Sequence, residues 1–288
     1  MLNRRSFVLS SLAAAAVAAG TLAGCGGTPT ASDDAATTEP TGEAGTGAVD
    51  TGTLIVGFDS SYPPYGYVGD DGEYTGFDLE LAQEVATRND WEVQLEPIDW
   101  DAKDTMLDSG AINCIWNGFT MEGREDDYTF SEPYMLNGQV VVVRADSGIA
   151  SFDDLAGKAV ITQVDSAAYN VLAGEDATQA ELAATFASLE TIGEYNTAFM
   201  QLESGAVDAV ACDLSIAAYQ LAAKPDAYVQ LDEFLSEEHY AVGFKKGDDA
   251  TAEAVTEALR AMDEDGFVAE LCDKYAADGI SYDNWCLE

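Results

Sequence analysis

Leu107-Asp108-Ser109-Gly110-Ala111-Ile112-Asn113-Cys114-Ile115 returns 95 residues later, from position 107 to position 202, as Leu202-Glu203-Ser204-Gly205-Ala206-Val207-Asp208-Ala209-Val210. Each copy reads as the last turn of a helix, a glycine that caps it, and the start of a buried strand. A glycine at that point supplies the left-handed backbone that ends a helix without steric cost. One such unit in each half of the chain predicts two similar lobes.

The flanking sequence fits that reading. Thr53 to Phe58 predicts a strand, and Asp78 to Arg88 a helix with Leu81 and Val85 on one face and Asp78 as its cap. Trp91, Val93 and Leu95 alternate as in a strand. A short helix over 101–108 and a strand over 112–116 follow, then a buried strand at Val140 to Val143. The second half predicts a helix near Phe152, a strand at 159–162, helices from Ser166 and over 194–203, a strand at 207–212 and a helix at 215–222. A strand over Tyr240 to Phe244 and helices from Thr251 close the chain. Alternation of this kind predicts an α/β fold of two Rossmann-like lobes with mostly parallel strands. The chain is expected to cross between lobes near 135–137 and 238–240. Lobe 1 then comprises 53–136 and 241–288, and lobe 2 comprises 137–240.

Open α/β lobes hold their ligand at the carboxyl ends of the strands, in the crevice between them. Past the first repeated strand lie Asn117, Gly118, Phe119 and Thr120, followed by Arg124; past the second lies Asp213. Arginine binds a carboxylate bidentately and aspartate accepts from an ammonium, so the two together suit a zwitterion. Simpler roles exist for both. Arg124 could pair with Glu125 or Asp126, and Asp213 could cap the helix near Ser215.

The N-terminus carries a different message. Arg4 and Arg5 precede an uncharged apolar run from Phe7 to Leu22, and Leu22-Ala23-Gly24-Cys25 ends it. Charge, apolar run and small residues form a cleavable signal at 1–24. The ending resembles a bacterial lipobox, which implies acylation of Cys25, with an extracytoplasmic, membrane-anchored product. Asn3 to Val8 also looks like a twin-arginine signal, and the choice of export route stays open. Residues 25–52, rich in Gly, Thr, Ala and acids, read as a flexible tether. The chain holds 12 Lys+Arg against 53 Asp+Glu, a net charge of −41, and cleavage would remove two of the arginines. Such a body does not bind nucleic acid by phosphate neutralisation. Among the five cysteines, Cys114 and Cys212 read as buried free thiols, whereas Cys272 and Cys286 could close a small disulfide loop. With one histidine, His239, and no C-x-x-C, neither a metal site nor a cofactor is expected.

Several segments in order carry a resemblance: Gly57 to Tyr65, Gly76-Phe77-Asp78-Leu79, Asn117 to Thr120 with Arg124, Phe130 to Tyr134, Asp154 to Lys158, and Gly205 to Ala209. Over 53–288 the chain resembles the polar-amino-acid class of extracellular solute-binding proteins that serve ABC importers. The resemblance implies a periplasmic-binding-protein-like type II fold with a central cleft and two hinge crossovers, acting as a monomer beside a membrane permease. It implies that Arg124 and the Thr120 N–H hold the ligand carboxylate, and that Asp213 holds the ammonium with the Thr120 hydroxyl and Gly118 carbonyl. Ser166 would add donors at a helix start, Tyr62 and Trp100 would sandwich the side chain, and Asp59 would face its far end. Asn117 belongs to the same set. The chain departs from the pattern in a segment one residue shorter between Thr120 and Arg124, in Asp165 where glycine is usual, and in Ala167 where a hydroxyl residue is common. The expected ligand is an amino acid with a basic or amide side chain, or cystine. An exported cyclic-acid dehydratase-like enzyme and a ligand-sensing receptor subunit are the alternatives.

Overall fold

The structure is a computed structural model that describes residues 52–287. The signal at 1–24, Cys25 and all of the tether but Gly52 lie outside the described residues.

The first part of the chain runs through β1 (Thr53–Phe58), a small three-stranded sheet of β2 (Ser61–Tyr62), β3 (Gly66–Val68) and β4 (Tyr74–Thr75), α1 (Phe77–Arg88) and β5 (Glu92–Pro97). A 3₁₀ turn leads into α2 (Lys103–Ser109), then β6 (Cys114–Ile115) and β7 (Tyr128–Phe130). Next come β8 (Met135–Arg144), β9 (Ala159–Gln163), α3 (Ala167–Ala173), α4 (Ala180–Ala183), β10 (Ser188–Ile192), α5 (Tyr195–Ser204), β11 (Ala209–Asp213), α6 (Leu214–Ala223), β12 (Tyr228–Gln230) and β13 (Ser236–Tyr240). The chain closes with β14 (Gly243–Lys245), α7 (Asp249–Glu264) and α8 (Phe267–Tyr275).

These strands build two sheets, ordered β5-β1-β6-β14-β7 and β10-β9-β11-β8-β12, with β13 also on β8. In each lobe the strands joined through helices are parallel: β1 with β5 and β6, and β9 with β10 and β11. The strands nearest the crossovers are antiparallel: β14 against β6, and β8 against β11. The sheets are therefore mixed, not mostly parallel. A parallel neighbour needs a helical crossover, and a strand arriving from the other lobe has none.

The repeat is reproduced atom by atom. Gly110 and Gly205 both end their helices in the left-handed region, at φ 77° and ψ 17°. Asn113 donates to the Thr53 carbonyl and accepts from the Ile55 N–H; its counterpart Asp208 accepts from the Ala159 N–H. Each ties its strand to the first parallel strand of its own lobe. Val140 and Val142 pack with Ile161 and Phe199 on one face of the second sheet, and Val141 and Val143 with Leu155 and Val160 on the other. A strand covered on both faces reads as a continuous apolar run.

Three expectations change. The run Tyr240 to Phe244 is not one strand: β13 ends at Tyr240 and β14 begins at Gly243, because the chain passes between sheets there. Asp78 is not a cap; Gly76 starts α1, and the Asp78 side chain turns inward. Cys272 and Cys286 are free thiols. Cys272 faces the core from α8, while the Cys286 backbone is fixed to the Tyr134 carbonyl. Cys114 and Cys212 are buried free thiols, with burial raising both pKa values.

Candidate functional site

The carboxyl ends of the parallel strands in both lobes meet around a small cavity. Tyr62, Trp100, Asn117, Gly118, Thr120, Arg124, Ser166 and Asp213 all line it, together with Phe119, Gln163 and Ala167. Asp59 does not.

Arg124 follows the loop after β6 and is 8% exposed. Its guanidinium donates to the Thr120 carbonyl at 2.8 Å and lies 4.8 Å from the Phe119 ring centroid. Among the described residues no salt bridge involves it, so the pairing with Glu125 or Asp126 does not form. A buried cation without a counter-charge is costly, and an anion entering the cavity would relieve that cost.

Two neighbours present complementary groups. Phe119 and Met121 make the backbone bonds to Ala241 and to His239 at the end of β13, which leaves the Thr120 N–H for another acceptor. Gly118 sits at φ 56°, and a Cβ there would meet the Tyr240 and Tyr62 rings at 3.0–3.2 Å. Its N–H donates to Asp78 at 2.5 Å, and Tyr134 donates its hydroxyl to the same carboxylate at 2.8 Å. Burial pushes the Asp78 carboxyl up to about 7. This side chain, a cap by sequence, instead fixes the turn at Gly118. Asn117 is 1% exposed, and neither polar atom of its amide has a partner among the described residues. Such an orphaned amide on a cavity wall calls for a partner that the protein itself does not supply.

Asp213 occupies the N-cap position of α6 but makes no side-chain capping bond. Its Oδ1 accepts from Asn137 at 3.1 Å, Gln139 at 2.6 Å and the Tyr240 hydroxyl at 3.1 Å. The same two amides donate to Oε1 of Glu238, at 2.6 and 2.7 Å, and Thr120 donates its hydroxyl there at 2.8 Å. With its proton committed, the Thr120 oxygen keeps its lone pairs for a donor. Burial first, and the Asp213 charge second, hold the Glu238 carboxyl well above the usual range.

The remaining predicted residues divide. Tyr62 is buried with its hydroxyl 3.4 Å from that of Tyr240, and Trp100 packs edge-on against Phe119. Ser166 caps α3: its Oγ accepts from the Tyr169 N–H and lies 3.2 Å from the Thr162 hydroxyl. Asp59 has both oxygens engaged, one accepting from the Ser61 N–H at 2.8 Å and the other from Gln163 Nε2 at 2.7 Å; burial raises its pKa. Gln163 Nε2 also donates to the Gly193 carbonyl at 2.8 Å. Two acceptors around one NH₂ fix the amide's orientation and leave Oε1 as the acceptor at the cavity. Gln163 thus replaces Asp59 as the wall residue, with Asp59 behind it.

Sequence reading missed Gln163, Gln139, Glu238 and the inward turn of Asp78. Gln139 and Glu238 left one signal: polar residues beside or within apolar strand runs, at the crossovers, need buried partners. Register supplies them, setting Gln139 opposite Asp213 and Glu238 opposite Asn137.

Comparison with known proteins agrees with this geometry. The chain is 32% identical over 232 residues to the L-cystine-binding protein TcyJ of Escherichia coli (strain K12), covering 78% of this chain and 82% of TcyJ. It superposes on an ABC uptake transporter substrate-binding protein from Streptococcus pneumoniae with bound histidine. The TM-score is 0.75 at 31% identity, over 80% of this chain and 94% of that one. It also superposes on the ancestral amino acid-binding protein AncCDT-1, a precursor of cyclohexadienyl dehydratase, with a TM-score of 0.69 at 30% identity, over 77% and 95% of the two chains. Residues 54–278 match the bacterial extracellular solute-binding proteins, family 3, and the chain belongs to that family.

Proposed function

We propose that this protein captures a polar amino acid between its two lobes and delivers it to an ABC permease. The observation that carries this reading is the buried, unpaired guanidinium of Arg124 on the same cavity as the Asp213 carboxylate. The α-carboxylate would pair with Arg124 and the Thr120 N–H, and the α-ammonium with Asp213, the Thr120 oxygen and the Gly118 carbonyl. Gln163 Oε1, backed by Asp59, suits a side chain that ends in N–H donors. Basic and amide side chains fit, as does cystine with its second ammonium. Cystine and histidine are the ligands named for two of the similar proteins.

In this reading 53–136 and 241–288 form one lobe, 137–240 the other, and the chain works as a monomer. Acylated Cys25 anchors it to the outer face of the cell membrane through the 25–52 tether, since a body of this charge gains nothing from anionic lipid. Replacing Cys25 by serine should move the protein from the membrane fraction to the medium; unchanged fractionation would remove the anchor from the proposal.

Binding is favoured over catalysis. A carboxyl held protonated toward neutrality, as Glu238 is, could serve as a general acid. Its Oε1, however, is committed to Thr120, Asn137 and Gln139, and the residue is not on the cavity wall. Titration calorimetry with a panel of amino acids is the test. The wild type should bind at least one of them. Arg124→Ala should weaken it by about 2 kcal/mol or more, the scale of a lost charge-assisted bond. No heat with any amino acid, or an unchanged affinity in the variant, would overturn the reading.

A further inference from the structure

Lys103 opens α2 in the first lobe and is 2% exposed. An ammonium that deep needs a counter-charge. Among the described residues its own lobe offers only Asp104, 3.9 Å away and mostly in solvent. The direct partner is Asp165, from the other lobe, whose carboxylate accepts from Lys103 Nζ. The two segments touch a second time, where Trp100 Nε1 donates to the Asp165 carbonyl at 3.3 Å. The Lys103 ammonium lies 5.3 Å from the Trp100 ring centroid, close enough for a cation–π contribution. Trp100 and Ser166, the chain neighbour of Asp165, both line the ligand cavity. The ion pair therefore sits at the rim where the lobes close.

The Asp165 backbone adds a cost that the turn itself does not require. It stands at φ 56°, in the left-handed region that glycine enters freely and aspartate enters at a cost. Glycine would hold the same turn with less strain, but it has no carboxylate to offer Lys103.

We propose that Lys103 and Asp165 form a latch across the cleft, a positioning pair that holds the lobes shut over a bound amino acid and slows its release. This rests on the ligand-capture reading above. The latch touches no ligand atom; it acts by stabilising the closed state, and it forms only when the lobes have met. It should therefore govern dissociation and leave the association rate nearly untouched.

The test uses Asp165→Gly, Lys103→Met and the double variant, with L-histidine and L-cystine as probes in stopped-flow tryptophan fluorescence. Asp165→Gly should raise the dissociation rate about tenfold, the low end for a charge-assisted bond because Asp165 is partly in solvent. Its association rate should stay within about twofold of wild type. The melting temperature of the unliganded variant should stay close to that of wild type, because the left-handed strain removed offsets the pair lost wherever the lobes are shut. Lys103→Met should match the rate effect, and the double variant should be no worse than either single one. An unchanged dissociation rate, a melting temperature that falls together with affinity, or losses that multiply in the double variant would overturn the latch. If neither probe binds the wild type, the capture reading fails. The latch is then judged by small-angle scattering of the unliganded chains, where Asp165→Gly should be the more expanded and identical profiles would overturn it.

Discussion

Asp213 and Glu238 show how two acids share one buried place. Both are nearly inaccessible to solvent, and one oxygen of each accepts from the same two amides, of Asn137 and Gln139. Two carboxylates held this way do not both ionise cheaply. The groups around Glu238 explain which one yields. Asp213 faces it from β11, the neutral amides from β8, and Thr120 from the loop that carries Arg124. The Tyr240 phenol donates to Asp213, and the next residue along the strand, His239, pairs with Glu122. Among the described residues no cation touches Glu238, and burial first, with the Asp213 charge second, pushes its carboxyl up to about 7. The sign of the consequence follows. A carboxyl whose folded pKa lies above its unfolded value of about 4.5 stabilises the fold most below that value, and this contribution is lost as pH rises to about 7. An amino acid whose ammonium sits beside Asp213 favours ionised Glu238, so capture should release a proton near neutrality. Affinity should rise with pH up to about 7 and then level. Calorimetry in buffers of different ionisation heat measures the proton count directly. Glu238→Gln should bring it to zero while still binding, and an unchanged count in that variant would place the proton elsewhere.

At the scale of elements, glycines separate what a motif says from what the surroundings add. Gly110 and Gly205 were legible because a helix pattern, a glycine and an apolar run occur together, twice. The Cβ of an alanine would meet nothing within 4 Å at Gly110 and only the Arg144 guanidinium, at 3.8 Å, at Gly205. Alanine at either site should therefore cost only the left-handed backbone term, about 1 kcal/mol. Gly76, also at positive φ, is different: a Cβ there would lie 2.2 Å from the Tyr65 carbonyl oxygen. Gly76→Ala should cost several times as much, since backbone has to move, and urea unfolding of the three variants should show that order. The same contrast explains which elements were readable. Strands β1, β9 and β11 stand out as apolar runs. The strands β2, β3 and β4 span two or three residues each, too few to show a period. Tyr240 to Phe244 is apolar throughout, so nothing local marks the point where the chain leaves one sheet for the other.

At the scale of the whole molecule, the site was legible where chemistry announces itself and hidden where closure creates it. Arg124 and Asp213 stand just beyond repeated strands and could be named from position. The Gln163–Asp59 bond, the Lys103–Asp165 pair and the bond from Asn196 to the Ser61 carbonyl join segments far apart in the chain, and no sequence spacing encodes them. The acids behave differently again. Their sum, −41 over the chain, is a property of composition, while among the described residues only Asp59, Asp78, Asp213 and Glu238 are buried acids. That field cannot choose among side chains in the cavity, but it can act before contact. A cationic amino acid approaches down a potential that a neutral one does not feel, and the effect is screened once the Debye length falls below the size of the site. Association of L-arginine or L-lysine should therefore slow several-fold as salt rises from roughly 10 to 300 mM, over which the Debye length shrinks from about 30 Å to below 8 Å. L-glutamine should associate at nearly the same rate throughout. Dissociation should respond much less in every case, because the contacts that hold a ligand are buried and poorly screened. Stopped-flow rates at several salt concentrations separate the two steps. Parallel salt slopes for arginine and glutamine would show that the acidic surface serves solubility alone and leaves capture to the cavity.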